Sequence, residues 1–342
     1  TVPTGITVIG ITNSSGTITA TVAATCNATL GANTVVLTVT DGNGAMSTAN
    51  LTVNVTAATP PTTAAAGPNQ TLCATAPATL AANSPTVGTS GWSIVSGPSF
   101  STAHFNSLTN TAATFTPAGG IGTYTLRWTI TGTCAASTSD VMLTYNANPT
   151  TAAAGNDASV CGLTTNLAGN APTVGSGTWT QVSGPGTSNF VNANSATTSV
   201  TVSATGAYTF RWTIANAPCA ASVDNVDITF TSAPTPADAG NDQTICASSG
   251  TATMASNTPT VGIGTWTKVS GPAGGTITAP GSPTTSITGM TTPGTYVFKW
   301  TIANAPCAAS EDQMNVTVNA PPTTAAAGND ASVCGLTTNL AG

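Results

Sequence analysis

The chain has 342 residues, of which 4% are charged, with four basic and ten acidic residues and a formal net charge of −6. Ordinary globular proteins contain about 25% charged residues, so solubility must rest on Thr, Ser, Asn and exposed backbone. The acidic balance argues against binding to nucleic acids or anionic membranes, because both need basic patches. No run of 18 apolar residues occurs, so we expect no transmembrane helix in this segment.

Residues 1–58 differ from the rest of the chain. The segments Ile6–Ile11 and Thr17–Val22 alternate in polarity and predict two strands. A hairpin with an Asp-Gly-Asn-Gly turn is predicted where Val35–Gly44 is followed by Ala49–Val55. We interpret residues 1–58 as part of a β-sandwich domain and expect its beginning to lie upstream of this chain.

Internal repetition is the strongest signal in the remainder. An Ala-Gly marker followed by a cysteine recurs at intervals of 88, 85 and 88 residues. Residues 322–342 duplicate residues 149–169 without a change, so we expect the array to continue. Proline-rich segments such as Thr59–Gly67 predict short, semi-rigid joints. The predicted domains are 1–58, 62–147, 149–232, 236–319 and the start of a further repeat at 322–342.

Each full repeat is predicted to be a Greek-key β-sandwich, because about seven short strands alternate with turns over about 87 residues. Two tryptophans recur in every repeat, and we expect the pair Trp179 and Trp212 to meet in a core. In the repeat at 149–232 the predicted strands are Ala158–Cys161, Thr165–Ala168, Gly177–Ser183, Asn189–Val191, Thr198–Val202, Ala207–Ile214 and Asn225–Phe230.

The last two strands of each repeat form a predicted hairpin that contains three of the four basic residues. Each of these residues is followed 13 positions later by an aspartate, and we expect cross-strand ion pairs that help to fix the register. The alternative is that the charges act independently to keep the surface soluble. The predicted pairs are Arg127 with Asp140, Arg211 with Asp224, and Lys299 with Asp312.

These motifs resemble the PKD-like and immunoglobulin-like repeats of very long secreted surface proteins of Bacteroidetes, including gliding adhesins and cargo of the type IX secretion system. The resemblance rests on Ala239–Cys246, Gly264–Pro272 and Gly294–Ile302, and it covers residues 62–342. Residues 1–58 look more like a hyalin-repeat or bacterial Ig-like module. The resemblance implies an all-β chain of tandem sandwich domains in a linear array.

The cysteines recur once near the first strand and once after the aromatic strand of each repeat. We therefore predict one disulfide within each domain, which implies an oxidising compartment. Free buried thiols are the alternative, and the absence of a Cys-x-x-Cys pair argues against zinc. The partners of Cys26 and Cys334 are expected outside this chain. The predicted pairs are Cys73 with Cys134, Cys161 with Cys219, and Cys246 with Cys307.

Few residues are candidates for a ligand or catalytic site. His104 is the single histidine, and we expect it on a surface loop. Asp157, Asp242 and Asp330 share one repeat position, where they belong either to a calcium site at a domain junction or, as we favour, to Asn-Asp turns. No nucleophile with a base and no phosphate-binding loop is present, so we predict no enzyme and no cofactor.

The sequence therefore favours the shaft of an extracellular bacterial fibre or cell-surface adhesin. Its expected partners are further copies of the chain, other surface proteins or glycans. One alternative is a glycan-binding module, which requires exposed aromatic side chains. Another is a non-catalytic spacer in a secreted polysaccharide-degrading enzyme.

Overall fold

The computed structural model describes residues 1–327, Ser332 and Cys334. In this part of the chain the regular structure consists of 24 strands and one short 3₁₀ turn. None of the described residues forms a helix long and apolar enough to cross a membrane. The architecture is all-β, with tandem immunoglobulin-like sandwiches. By internal packing, residues 1–149 and 215–221 form one unit, and residues 150–214 with 222–342 form another.

Residues 1–58 form two separate antiparallel hairpins, in agreement with the predicted turns. The Asp41 carboxylate accepts hydrogen bonds from the N–H groups of Asn43 and Ala45 (2.9 and 2.8 Å), which closes the second turn. The four strands are β1 (Ile6–Ser14), β2 (Thr17–Ala24), β3 (Gly31–Thr40) and β4 (Met46–Val55).

The first repeat contains a four-stranded sheet in the order β5-β10-β9-β7 and a two-stranded sheet β6-β8. The first strand pairs in parallel with the last, and the other pairs are antiparallel. Its elements are β5 (Gln70–Cys73), β6 (Ala78–Thr79), β7 (Thr89–Ser96), a 3₁₀ turn (Thr102–His104), β8 (Thr114–Phe115), β9 (Gly122–Thr131) and β10 (Ala136–Asn146).

The second repeat confirms the seven predicted strands, with bounds that differ by a few residues. A sheet β11-β17-β16-β13 faces a three-stranded sheet β12-β15-β14. The strands are β11 (Ala158–Cys161), β12 (Thr164–Ala168), β13 (Ser176–Ser183), β14 (Ser188–Phe190), β15 (Thr197–Val202), β16 (Gly206–Ala215) and β17 (Ser222–Thr231).

The third repeat has the same arrangement, with sheets β18-β24-β23-β20 and β19-β22-β21. Its strands are β18 (Gln243–Cys246), β19 (Ala252–Thr253), β20 (Ile263–Ser270), β21 (Thr276–Ile277), β22 (Ser286–Thr288), β23 (Gly294–Ala303) and β24 (Ser310–Asn319). The further repeat predicted at 322–342 lies largely outside the described residues.

Each repeat has its own hydrophobic core between its two sheets. The alternation in β16 places its aromatic and aliphatic side chains inward, so that Trp212 is fully buried. Its ring centroid lies 5.0 Å from that of Trp179, as predicted. Period-two patterning therefore determines both the strand and the face that it buries.

The proline-rich segments are partly incorporated into the sandwiches, so their interpretation as joints was wrong for their alanine-rich ends. Alternate alanines are buried, and their N–H groups donate to side chains of the last strand. In the third repeat Ala237 donates to Ser310 Oγ (2.8 Å) and Ala239 to Asp312 Oδ2 (2.7 Å). The segment thus acts as an additional edge of the domain, held by side-chain acceptors rather than by a strand ladder.

Candidate functional site: disulfides that join successive repeats

The loop between β23 and β24 is the best-defined polar feature of the second unit. Cys307 in this loop forms a disulfide with Cys161 at the end of β11, with a Cα–Cα distance of 4.8 Å and a separation of 146 residues. The side-chain amide of Asn304 donates to the carbonyl of Ser232 (2.8 Å). Cys307 is 8% exposed, so docking of the loop buries its sulfur.

The same set of contacts occurs in the first unit, to which the loop at 215–221 belongs. Cys219 forms a disulfide with Cys73 at the end of β5, again with a Cα–Cα distance of 4.8 Å and a separation of 146 residues. Asn216 donates to the carbonyl of Ala147 (2.8 Å), and Asn146 donates to the carbonyl of Ala217 (2.7 Å). Two identical Asn-Ala-Pro-Cys loops therefore make equivalent attachments.

A third disulfide joins Cys26, in the loop after β2, to Cys134, in the loop after β9, with a Cα–Cα distance of 5.2 Å. The Cys134 loop is one residue shorter than the other two loops and lacks their Asn-Ala-Pro sequence. The structure thus attaches residues 1–58 to the first repeat through the same loop position.

The predicted disulfides within single repeats were wrong. Cys73 pairs with Cys219, Cys161 with Cys307, and Cys134 with Cys26, whereas Cys246 is a free thiol among the described residues. Cys26 therefore has its partner inside the chain, contrary to expectation. Cys334 is also a free, exposed thiol, without a partner among the described residues.

The sheet order explains why the cysteines of one repeat cannot meet. Cys73 lies beside Asn146 at the far end of β10, because β5 and β10 are parallel. Cys134 precedes β10 and therefore lies at the opposite end of that strand, about 30 Å away at about 3.3 Å per residue. A disulfide requires a Cα–Cα distance of about 4.4–6.8 Å. The first strand and the hairpin loop thus present their cysteines at opposite ends of the sandwich.

One of the three predicted ion pairs is present. The Arg127 guanidinium donates from Nε to Asp140 Oδ1 (2.7 Å) and from Nη2 to Oδ2 (2.9 Å). These residues lie directly opposite each other in the ladder of β9 and β10. The bidentate contact holds the pKa of the Asp140 carboxyl below its usual range.

The other two predicted ion pairs are absent, because a longer hairpin loop shifts the aspartates by one position. Arg211 lies opposite Asn225 and donates to its Oδ1 (3.0 Å), while Asp224 lies opposite Trp212. A shift of one residue moves a side chain to the other face of the sheet. Asp224 therefore points inward and accepts from the N–H of Ala154 (2.7 Å).

In the third repeat Asp312 has the same inward role, accepting from the alanine-rich segment described above. Lys299 lies opposite Gln313 and forms its ion pair diagonally, with Glu311 (2.9 Å). The chain thus has ion pairs in two of the three hairpins, with different acidic residues in each.

The candidate calcium aspartates hold the first and last strands of a repeat together. Asp157 Oδ1 accepts from the N–H of Asp227 (2.8 Å), and Asp242 Oδ1 accepts from the N–H of Asn315 (2.8 Å). Asn69 makes the equivalent contact with Met142 in the first repeat. The described residues contain no cluster of His, Cys, Asp and Glu arranged for a metal. Asp330 lies outside the described residues.

The single histidine is buried, so its predicted surface position was wrong. His104 is 4% exposed, lies in the 3₁₀ turn, and packs against Phe115 and Tyr124. Its Nδ1 accepts from the N–H of Ala118 (3.1 Å), whereas Nε2 has no hydrogen-bond partner among the described residues. An enclosed side chain of this kind contributes to packing.

The structure also buries the aromatic side chains that a glycan-binding surface would need. All six tryptophans and all four tyrosines of the chain lie within the described residues, and each is at most 4% exposed. Stacking against a sugar requires an exposed ring face, which none of these residues provides.

Comparisons with known proteins support the description of the repeats. A PKD domain family model matches residues 154–230 and 239–318, which contain most of the second and third repeats. No curated protein sequence matches the chain significantly.

Similar solved structures include an I-band fragment of titin, with 13% identity, a TM-score of 0.45, and coverage of 77% of this chain and 100% of that one. Extracellular domains 3–5 of Drosophila OTK have 13% identity and a TM-score of 0.38, with coverage of 73% and 94%. The PKD domain of the KIAA 1837 protein is 27% identical over 26% of this chain and 92% of its own, with a TM-score of 0.23. The strand order described above is what assigns the fold.

Proposed function

We propose that this chain is a structural shaft segment of an extracellular bacterial fibre or surface adhesin. The observation that carries the proposal is that every disulfide joins one repeat, or the first module, to the next. Disulfides persist in oxidising compartments such as the cell exterior. The bacterial surface setting follows from the resemblance of the repeats and their joint sequences.

Overlap of the three disulfide loops gives the chain a second covalent path. The loops run from 26 to 134, from 73 to 219 and from 161 to 307, so each overlaps the next. Every peptide bond between residues 26 and 307 therefore lies inside at least one loop. Cleavage of any single bond in this range leaves both fragments covalently joined, which suits a fibre exposed to proteases and mechanical load.

The same overlap limits how far the chain can extend under tension. The shortest covalent path runs from Thr1 to Cys26, crosses to Cys134, continues to Cys161, and crosses to Cys307 before the final segment. At about 3.5 Å per extended residue, this path is about 300 Å long, against about 1,200 Å for the whole chain. Unfolding of the repeats would thus release little length.

Single-molecule stretching between the two ends tests this function. We expect the oxidised chain to extend to about 300 Å and the reduced chain to about 1,200 Å. Disulfides within single repeats would instead allow about 560 Å in the oxidised chain. A measured oxidised length near that value would overturn the proposed mechanism.

Cleavage at methionine with cyanogen bromide, without reductant, tests the pairing in the unmodified chain. The structure places the cut at Met142 inside the Cys73–Cys219 loop. We expect fragments 1–46, 47–142 and 143–254 to remain linked until a reductant is added. Pairing within repeats would release 1–46 and 47–142 as separate fragments without reduction.

Electron microscopy of the native material tests the cellular role. We expect thin rods or ordered fibres in which the repeats recur along the axis. Compact particles would contradict a shaft and would favour a spacer in a larger secreted protein.

A further inference from the structure

We propose that the end of the third repeat is an acceptor site for the Asn-Ala-Pro-Cys hairpin loop of a further repeat of the same type. The site consists of the Cys246 thiol, the Asn319 side-chain amide and the Ala320 carbonyl. This proposal rests on the proposed function, because it assigns a partner to the same kind of attachment.

The backbone at this end matches the two occupied ends. Cys246 lies beside Asn319 in the parallel ladder of β18 and β24, as Cys73 lies beside Asn146. The N–H of Ala247 donates to the carbonyl of Asn319 (3.0 Å), and the N–H of Ala74 donates to that of Asn146 (2.7 Å). The second repeat has the same arrangement, with Gly162 donating to Thr231 (2.9 Å).

This register assigns a role to each exposed group. Ala320 corresponds to Ala147, whose carbonyl accepts from the loop residue Asn216 (2.8 Å). Asn319 corresponds to Asn146, whose amide donates to the carbonyl of the next loop residue, Ala217 (2.7 Å). The third site therefore has a thiol, an acceptor and a donor at the positions where a loop already binds.

The difference between the ends lies in exposure. Cys246, Asn319 and Ala320 are all exposed, whereas Asn146 and Ala147 are half-buried beneath their loop. Cys246 has no disulfide partner among the described residues.

The occupant follows from what the chain itself binds at the equivalent ends. Residues 215–222 and 303–310 have the identical sequence Ala-Asn-Ala-Pro-Cys-Ala-Ala-Ser. The cysteines of both loops, and Cys134, are already in disulfides. The loop that fits Cys246 is therefore one carried by an additional repeat, and not one of the three in this chain.

Attachment is a thiol–disulfide exchange. The Cys246 thiolate attacks the loop cysteine sulfur of a mixed disulfide, the new sulfur–sulfur bond forms, and the donor thiol leaves with the electron pair. A disulfide donor of the oxidising compartment supplies the oxidising equivalents, so no net oxidant is taken from the protein.

The test uses the full chain and a cyclic hairpin peptide with the sequence of residues 300–312, its cysteine activated as a 2-thiopyridyl disulfide. Release of thiopyridone gives the rate, and peptide mapping by mass spectrometry identifies the modified thiol. The matched probe carries alanine in place of the loop asparagine. We expect Cys246 to react about threefold or more faster with the native loop, because one amide hydrogen bond is lost in the control.

Cys334, an exposed thiol in the same molecule, provides the reference rate and should not distinguish the two peptides. The variant Asn319→Ala should reduce the preference at Cys246 while leaving its reaction with a small disulfide reagent unchanged. Equal rates for both peptides at Cys246, or an equal preference at Cys334, would overturn the proposal. The cyanogen bromide pattern does not depend on this result, so the two proposals fail separately.

Discussion

Residues 1–58 and the three repeats have equally regular alternating strands, but they bury very different numbers of side chains. Each repeat contains 13 to 15 buried hydrophobic residues in one cluster. Within residues 1–58, all of which the structure describes, the buried hydrophobic residues are Ile6 and Val35. Ile9, Ile11 and Met46 are exposed by 66%, 63% and 73%.

The difference shows that alternation specifies a strand, whereas a core needs a second sheet to cover its apolar face. Isolated two-stranded hairpins are marginally stable in water, and residues 1–58 consist of two such hairpins. We infer that the Cys26–Cys134 disulfide contributes more to the order of this module than any disulfide contributes to a repeat.

The largest effect that separates the two regions should come from truncating a core tryptophan. Trp300 is fully buried, and its ring centroid lies 5.3 Å from that of Trp266. We expect Trp300→Ala to lower the free energy of unfolding of the third repeat by about 3–5 kcal/mol. Hydrogen exchange of β23 and β24 measures this loss.

The matched variant in the first module is Ile11→Ala, whose side chain is exposed. Its effect on exchange in β1 and β2 should stay within about 0.5 kcal/mol. A loss comparable to that of Trp300→Ala would mean that residues 1–58 bury a core of their own.

The next effect concerns the disulfides. Cys26→Ser should remove exchange protection from β1 to β4, with a loss of about 2–4 kcal/mol, which is typical of a deleted disulfide. Cys161→Ser should leave β13 to β17 and β20 to β24 protected, because the second and third repeats retain their cores. Equal loss of protection in the two variants would contradict the comparison.

These regions also show how much of the fold follows from sequence. Alternation and turn residues predict the hairpins of 1–58 and the seven strands of each repeat, because both are local signals. They do not predict which of these strands become buried. Ile11 and Ile214 have equally favourable strand patterns, yet only the second is covered by an opposing sheet.

The site was less predictable, because it depends on contacts between distant residues. Both the spacing within a repeat and the constant spacing of 146 residues recur in the sequence, and cysteine counts do not determine connectivity. The parallel pairing of first and last strands decides between them. Asp224 illustrates a second limit, since one extra loop residue moves it from the outer face to the inner one.

A glycine pair tests how closely the repeats are packed relative to the first module. A Cβ at Gly177 would lie 2.1 Å from a ring carbon of Trp212, whereas nothing lies within 4 Å of one at Gly10. Gly177→Ala should cost about 1–3 kcal/mol through displacement of the ring. Gly10→Ala should instead stabilise β1 slightly, by reducing the freedom of the unfolded chain. Thermal unfolding followed by strand-resolved exchange measures both, and a tolerated Gly177→Ala would contradict close packing.

The smallest effect concerns a contact that the first module lacks, between the entry to the first strand of a repeat and its last strand. The backbone and side-chain amides of Asn315 donate to Asp242 and lower the pKa of its carboxyl. A lowered folded-state pKa means that this stabilisation is present above the unfolded value, about 3.9, and is lost as the pH falls through the folded value. Asn69 makes the equivalent contact in the first repeat without titrating. We therefore expect Asp242→Asn to retain the acceptor and to flatten the acid dependence of β24 protection below about pH 4. An unchanged acid dependence would show that Asp242 does not help to hold the two strands together.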